Sequence, residues 1–144
     1  VANRRAVASY LYNRILQDAG LKGILGNNFQ LYMRLPEINP SFPFVVYRVV
    51  ETGNDDGVLT NALLYISTYS HGRSETVASQ AAERLKVILD RLVDSTKEVP
   101  SIQVYSNDDV DSIATDSDQV HRLDQSFRIV YARVSILEGI ASRE

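Results

Sequence analysis

Two histidines, a run of aspartates and a few strand-borne arginines and tyrosines are the residues of this chain with chemistry to offer. His71 lies next to Ser70 and three positions before Ser74. A base beside a hydroxyl is the minimum for nucleophilic hydrolysis. Residues adjacent in sequence rarely meet in that geometry, and no third group stands ready to orient the imidazole. His121 is fifty residues away and flanks a different element. Both histidines are read as loop or surface residues, and a small hydrolase using His71 or clustered aspartates is kept as an alternative function.

Asp108, Asp109, Asp111, Asp116 and Asp118 fall in one polar stretch, 106–121. Clustered carboxylates invite a calcium site. An EF-hand loop needs alternating oxygen ligands, a glycine at position six and a glutamate at position twelve. Counted from Asp109, Asp111 fits position three, but Ile113, Ala114 and Val120 occupy positions five, six and twelve. The stretch is read as a solvated acidic loop, since like charges repel and stay hydrated. Such a loop can also dock on a basic neighbour or line a channel.

Other chemistries are excluded more directly. There is no cysteine, hence no disulfide, thiolate ligand or thiol nucleophile. No G-x-x-x-x-G-K motif occurs, and Gly20, Gly23 and Gly26 do not make G-x-G-x-x-G. No metal ligand set and no cofactor site is expected. Tyr47, Tyr65, Tyr69 and Tyr131 fall on expected strands beside Arg48, Arg128 and Arg133. Aromatics with arginines on a sheet can stack single-stranded bases. Without an RNP-type motif, core packing or interface anchoring is the stronger reading. A charge on a strand marks an exposed or paired face, because burying it alone is costly. Arg128 and Arg133 are out of phase and should point to opposite faces.

These residues need elements to hold them. Val7, Leu11, Ile15 and Ala19 recur at helical spacing, so 3–19 is expected to be a helix, capped by Asn3 and closed by Gly20. Residues 21–43 carry Gly23, Gly26, Pro36, Pro40 and Pro43 and read as an irregular connection with at most a short turn of helix or strand. Residues 44–51 and 62–70 are rich in β-branched and aromatic residues and read as a hairpin across the turn cluster 53–57, which holds Asp55 and Asp56. Ser74 is placed to cap a helix over 75–93, with a stripe of Val77, Ala81, Leu85, Ile88 and Leu92. Short and long strands follow at 101–105 and 125–137. The order is α-β-β-α-β-β. Strands in pairs with two helices predict one α+β domain over 1–144, its mainly antiparallel sheet carrying the helices on one face.

Composition sets the frame. A chain of 144 residues suffices for one core, and 44% hydrophobic with 23% charged residues is globular composition. A net charge of −3 argues against a domain built to grip nucleic acid. Val1 to Ala8 lack the apolar region of a signal peptide, no run approaches a membrane span, and Pro40 blocks the sequon at Asn39. An intracellular protein, or one assembled inside a cell and away from membranes, is expected.

The pattern resembles the tail-terminator and tail-completion (head-to-tail joining) proteins of tailed bacteriophages. The resemblance lies in the N-terminal helix and the strands Pro43-Phe44-Val45-Val46-Tyr47 and Leu64-Tyr65-Ile66-Ser67-Thr68-Tyr69-Ser70. It continues through Ala81-Ala82-Glu83-Arg84-Leu85 and the closing strand Phe127-Arg128-Ile129-Val130-Tyr131. The family implies a homo-oligomeric ring, commonly of six subunits, that caps the tail tube and joins it to the neck. It implies a virion protein with no enzymatic activity and no cofactor. Its loops contact tail-tube and connector proteins, and DNA passes through the lumen without specific binding. On this reading the candidate subunit or lumen contacts are Arg48, Asp55, Asp56, Asp108, Asp109, Asp111, Asp116, Asp118, Arg128 and Arg133. An acidic lining over 108–118 would repel phosphate.

Overall fold

The computed structural model describes residues 3–34, 41–54, 59–72, 76–107, 112–115 and 119–132. Helix α1 spans Arg4–Leu16, with the Asn3 side chain accepting from the Ala6 N–H at 2.9 Å. It does not continue to residue 19 as expected. Asp18 takes an extended conformation and its carboxylate accepts from the Leu21 N–H, which starts a second helix, α2, at Ala19–Leu25. An aspartate so placed satisfies a free N–H of a new first turn and so favours a restart over continuation. Gly20 therefore lies inside α2, and Gly26, at φ 104°, closes it.

The expected irregular stretch 21–43 thus contains α2 and also strand β1, Gln30–Tyr32. Strand β2 is Phe44–Asn54 and β3 is Leu59–His71, a longer pair than expected, with a bulge between Glu51 and Gly53. Helix α3 runs Thr76–Leu89 and stops before the expected residue 93. Arg91 adopts φ 60°, which turns the chain so that Leu92–Asp94 becomes strand β4. Strand β5 is Ile102–Ser106. Strand β6, Ser112–Thr115, lies within the stretch expected to be a loop. Strand β7 is Val120–Ala132 and begins five residues before the expected start. The Ser74 cap and residues 133–137 lie outside the described residues.

The sheet runs β1-β2-β3-β7-β5-β4, with β6 also on β7. Strand β7 pairs with β3 along its whole length, and on its other side with β5 at 127–130 and β6 at 121–124. All pairs are antiparallel except β1 with β2, which is parallel. The expected α+β class, largely antiparallel, is met with one parallel edge, and the order is α-α-β-β-β-α-β-β-β-β.

All three helices pack on one face. Alternate residues of the strands meet them: Val45, Tyr47 and Val49 on β2, Leu64 and Ile66 on β3, Phe127 and Ile129 on β7. These form one buried cluster with Val7, Leu11 and Ile15 of α1, Leu21 of α2, and Leu85 and Leu89 of α3. The helices are tied to each other by polar contacts. Arg84 of α3 donates from Nε and Nη2 to the two oxygens of Asp18, at 2.8 and 2.9 Å. A Cβ at Gly20 would collide with the Arg84 guanidinium, so glycine is what lets this bidentate pair form.

Candidate functional site

The period of two along a strand sends the remaining residues to the opposite face. Among the described residues, no helix covers that face. Register sets its rows. Arg48 of β2 faces Tyr65 of β3, which faces Ser126 of β7. In the next row Val50 faces Leu63, Leu63 faces Arg128, and Arg128 faces Tyr105 of β5. Each arginine lies over a tyrosine ring: Arg48 over Tyr65 at 5.1 Å and Arg128 over Tyr105 at 5.6 Å. Ser67 donates to Asp124 at 2.6 Å, and Arg122 pairs with the same carboxylate at 3.3 Å. At the β1 end, Phe44 stacks on Tyr69 with centroids 4.7 Å apart.

The result is a face of mixed character. Aliphatic Val46, Val50, Leu63 and Val130 are half-buried, Tyr65 is 39% exposed, and Arg48 and Arg128 are exposed. Tyrosine and arginine over an aliphatic floor are the residue types that anchor protein interfaces.

Of the expected contact residues, the structure brings Arg48 and Arg128 to this one face, two rungs of the sheet apart in different rows. Asp55, Asp56, Asp108, Asp109, Asp111, Asp116, Asp118 and Arg133 lie outside the described residues, so the opposite orientation expected for Arg128 and Arg133 does too. The four strand tyrosines divide. Tyr65 and Tyr69 face outward, whereas Tyr47 and Tyr131 are buried, at 2% and 1% exposure. The buried hydroxyls donate inside the fold, Tyr47 to the Ala8 carbonyl and Tyr131 to Glu51. Burial, and then Tyr12 nearby, raises the Tyr47 phenol above its ordinary value.

His71 and Ser70 do not come together. His71 is exposed, with its ring 5.6 Å from Phe42. Ser70 is 3% exposed and points to the opposite face. There it lies across from His121, whose Nε2 is 2.8 Å from the Gly72 carbonyl. Ser74 lies outside the described residues. Among the described residues, no group of three His, Cys, Asp or Glu is placed to hold a metal ion. No described helix is long and apolar enough to cross a membrane.

One feature gave no local signal in the sequence. The N-terminal turn of α1 lies beside β2, where Arg4, Arg5 and Arg48 line a groove of about 390 Å³ with Met33, Tyr47 and Val49. Arg4 and Arg5 were legible only as polar residues opening a helix. Their meeting with Arg48 depends on where α1 packs.

Elsewhere the titratable groups serve the fold. The bond from Arg84 holds the Asp18 carboxyl below its ordinary value. Tyr10 donates to Asp94 at 2.5 Å. Burial and then that bond push the Tyr10 phenol up to about 12, and the same bond lowers Asp94.

No protein-family model and no curated protein matches the sequence. Among solved structures, the fold is similar to a chain in the virion of a native gene transfer agent particle. That likeness has a TM-score of 0.63 at 16% identity and covers 85% of this chain and 91% of the other. It is a likeness of fold.

Proposed function

We propose that this chain is a structural virion protein of the phage type. It assembles into a ring, six subunits being the number the family resemblance implies. That ring terminates the tail tube and joins it to the neck and head connector, and DNA passes through without specific binding. It works as a non-enzymatic component without a cofactor, and its partners are further copies of itself, tail-tube protein and connector proteins.

The observation that carries this reading is the sheet face that no described helix covers, where Tyr65, Tyr105, Arg48 and Arg128 stand over half-buried Val50 and Leu63. A face of that composition is suited to contact with protein. The similarity of fold to a chain of a gene transfer agent virion supports the same reading. His71 and Ser70 point to opposite faces of β3, so that pair lends the hydrolase alternative no support, while Ser74 and the clustered aspartates lie outside the described residues.

Negative-stain imaging tests the proposal. Closed annular particles, seated at the ends of tubes when tail-tube protein is added, are the expected result. Compact single-subunit particles under both conditions would count against it.

A further inference from the structure

The two sides of the sheet are unlike in charge. Strand β2 pairs with β1 only through Val46, whereas its pairing with β3 runs on to Asn54. From Tyr47 onward, β2 therefore has a strand on one side alone among the described residues. The Arg4–Arg5–Arg48 groove lies along this open edge. All three arginines are exposed, and among the described residues none has a carboxylate partner and no acidic residue lines the groove. Met33, beside them, is 60% exposed.

Strand β6 lies on the far side of β7. In the sequence it is flanked by Asp108, Asp109, Asp111, Asp116 and Asp118, with no lysine or arginine in 106–119. Strands β3 and β7 separate β6 from β2. Three inter-strand spacings put them about 14 Å apart along the sheet. Complementary patches on opposite sides of one subunit meet when copies join head to tail, the contact that generates rings.

We propose that the groove is occupied by a second copy of this chain, which enters with its acidic segment 106–119. The inference deepens the ring reading and rests on it for the association of copies. Guanidinium forks match carboxylates in pairs. An open strand edge takes an extended chain, and Met33, 60% exposed, gives that chain an apolar contact. A polynucleotide would use the arginines but neither the strand edge nor Met33.

The test uses two variants of the full chain. The groove variant carries Arg4→Glu, Arg5→Glu and Arg48→Glu, and the segment variant carries Asp108→Lys, Asp109→Lys and Asp111→Lys. Acidic residues in the first turn of α1 suit the helix dipole, and circular dichroism checks that both variants fold. In sedimentation velocity, each variant alone should self-associate about tenfold or more weakly than wild type. Mixed one to one, they pair an intact groove with an intact segment and a Glu-bearing groove with a Lys-bearing segment, so association lost by each variant alone should return. Variants that assemble like wild type would overturn the inference and leave the ring standing.

A monomeric wild type would instead contradict the ring. The inference is then decided by a fluorescent peptide of residues 106–119. Salt-sensitive binding to wild type that the groove variant loses supports it. Absent binding, or displacement by a short DNA duplex at lower concentration than by unlabelled peptide, overturns it.

Discussion

The two faces of the sheet are built from the same strands and the same hydrogen bonds, yet they differ in what lies over them. On β3, Leu64 and Ile66 point into the helix layer and are 0% and 1% exposed, while Tyr65 between them points outward and is 39% exposed. The inner face is apolar at its centre and buried beneath the helices, with Thr68, Ser70, His121 and Gln125 buried toward one end. The outer face pairs arginines with tyrosines over half-buried aliphatic residues, a composition too charged for a core. The contrast places stability on one side of the sheet and the proposed assembly surface on the other, separated by a single residue step.

The largest expected effect comes from crossing that step. Leu64→Ala should cost about 2–5 kcal/mol in urea unfolding, as buried leucine truncations do. Tyr65→Ala should cost the dissociated subunit no more than about 1 kcal/mol, the scale of an exposed cation–π contact, and should weaken assembly instead. Equal costs would mean that the outer face is already covered within one subunit, and the comparison would fail.

The next effect sharpens how the inner layer is held. Asp18 caps α2 and receives Arg84. Asp18→Ala should lose about 1–2 kcal/mol from the cap alone. The Asp18 carboxyl is held below 3.8 chiefly by the Arg84 bond, so the charged form is the one favoured by folding. Its contribution is complete above the unfolded value near 3.8 and is lost as pH falls through the lower folded value. Urea midpoints measured down the acid range should therefore fall less steeply for Asp18→Asn than for wild type.

Tyr10→Phe should cost about 1 kcal/mol, the scale of one hydrogen bond. With the phenol raised to about 12 from 10.0, its contribution is present below pH 10 and lost as pH rises through 12. Ultraviolet titration should show late-ionising phenols in wild type and one fewer in the variant, where the raised Tyr47 remains.

The smallest effect separates two glycines of α2. Open space surrounds the Cβ direction at Gly23, so Gly23→Ala should stabilise by about 0.5–1 kcal/mol through helix propensity. Gly20→Ala should lose that gain, because the new methyl displaces Arg84 from Asp18. Thermal unfolding of the two variants side by side distinguishes them.

Legibility in the sequence followed the same division. The helical stripe around Ala81 and Leu85 and the β-branched runs at 44–50 and 62–66 were plain, because burial on the inner face imposes a strict period. Asp18 was hidden inside a helical pattern, since a capping carboxylate looks like any polar residue. Arg122 and Asp124 made the start of β7 look like loop, although His121 and Leu123 between them point inward. Strand β6 was masked by its flanking aspartates. For the candidate site, Arg48 and Arg128 were readable one at a time as exposed strand charges. Their seats over Tyr65 and Tyr105 depend on register, and the Arg4–Arg5–Arg48 groove depends on tertiary packing, neither of which leaves a local mark.

The central claim is that the function of this chain lies in contacts between subunits. Native mass spectrometry of the wild-type chain over a range of concentrations tests it most directly. A discrete closed multimer that persists on dilution is the predicted result. A single-subunit mass at every concentration, including with tail-tube protein present, would contradict it.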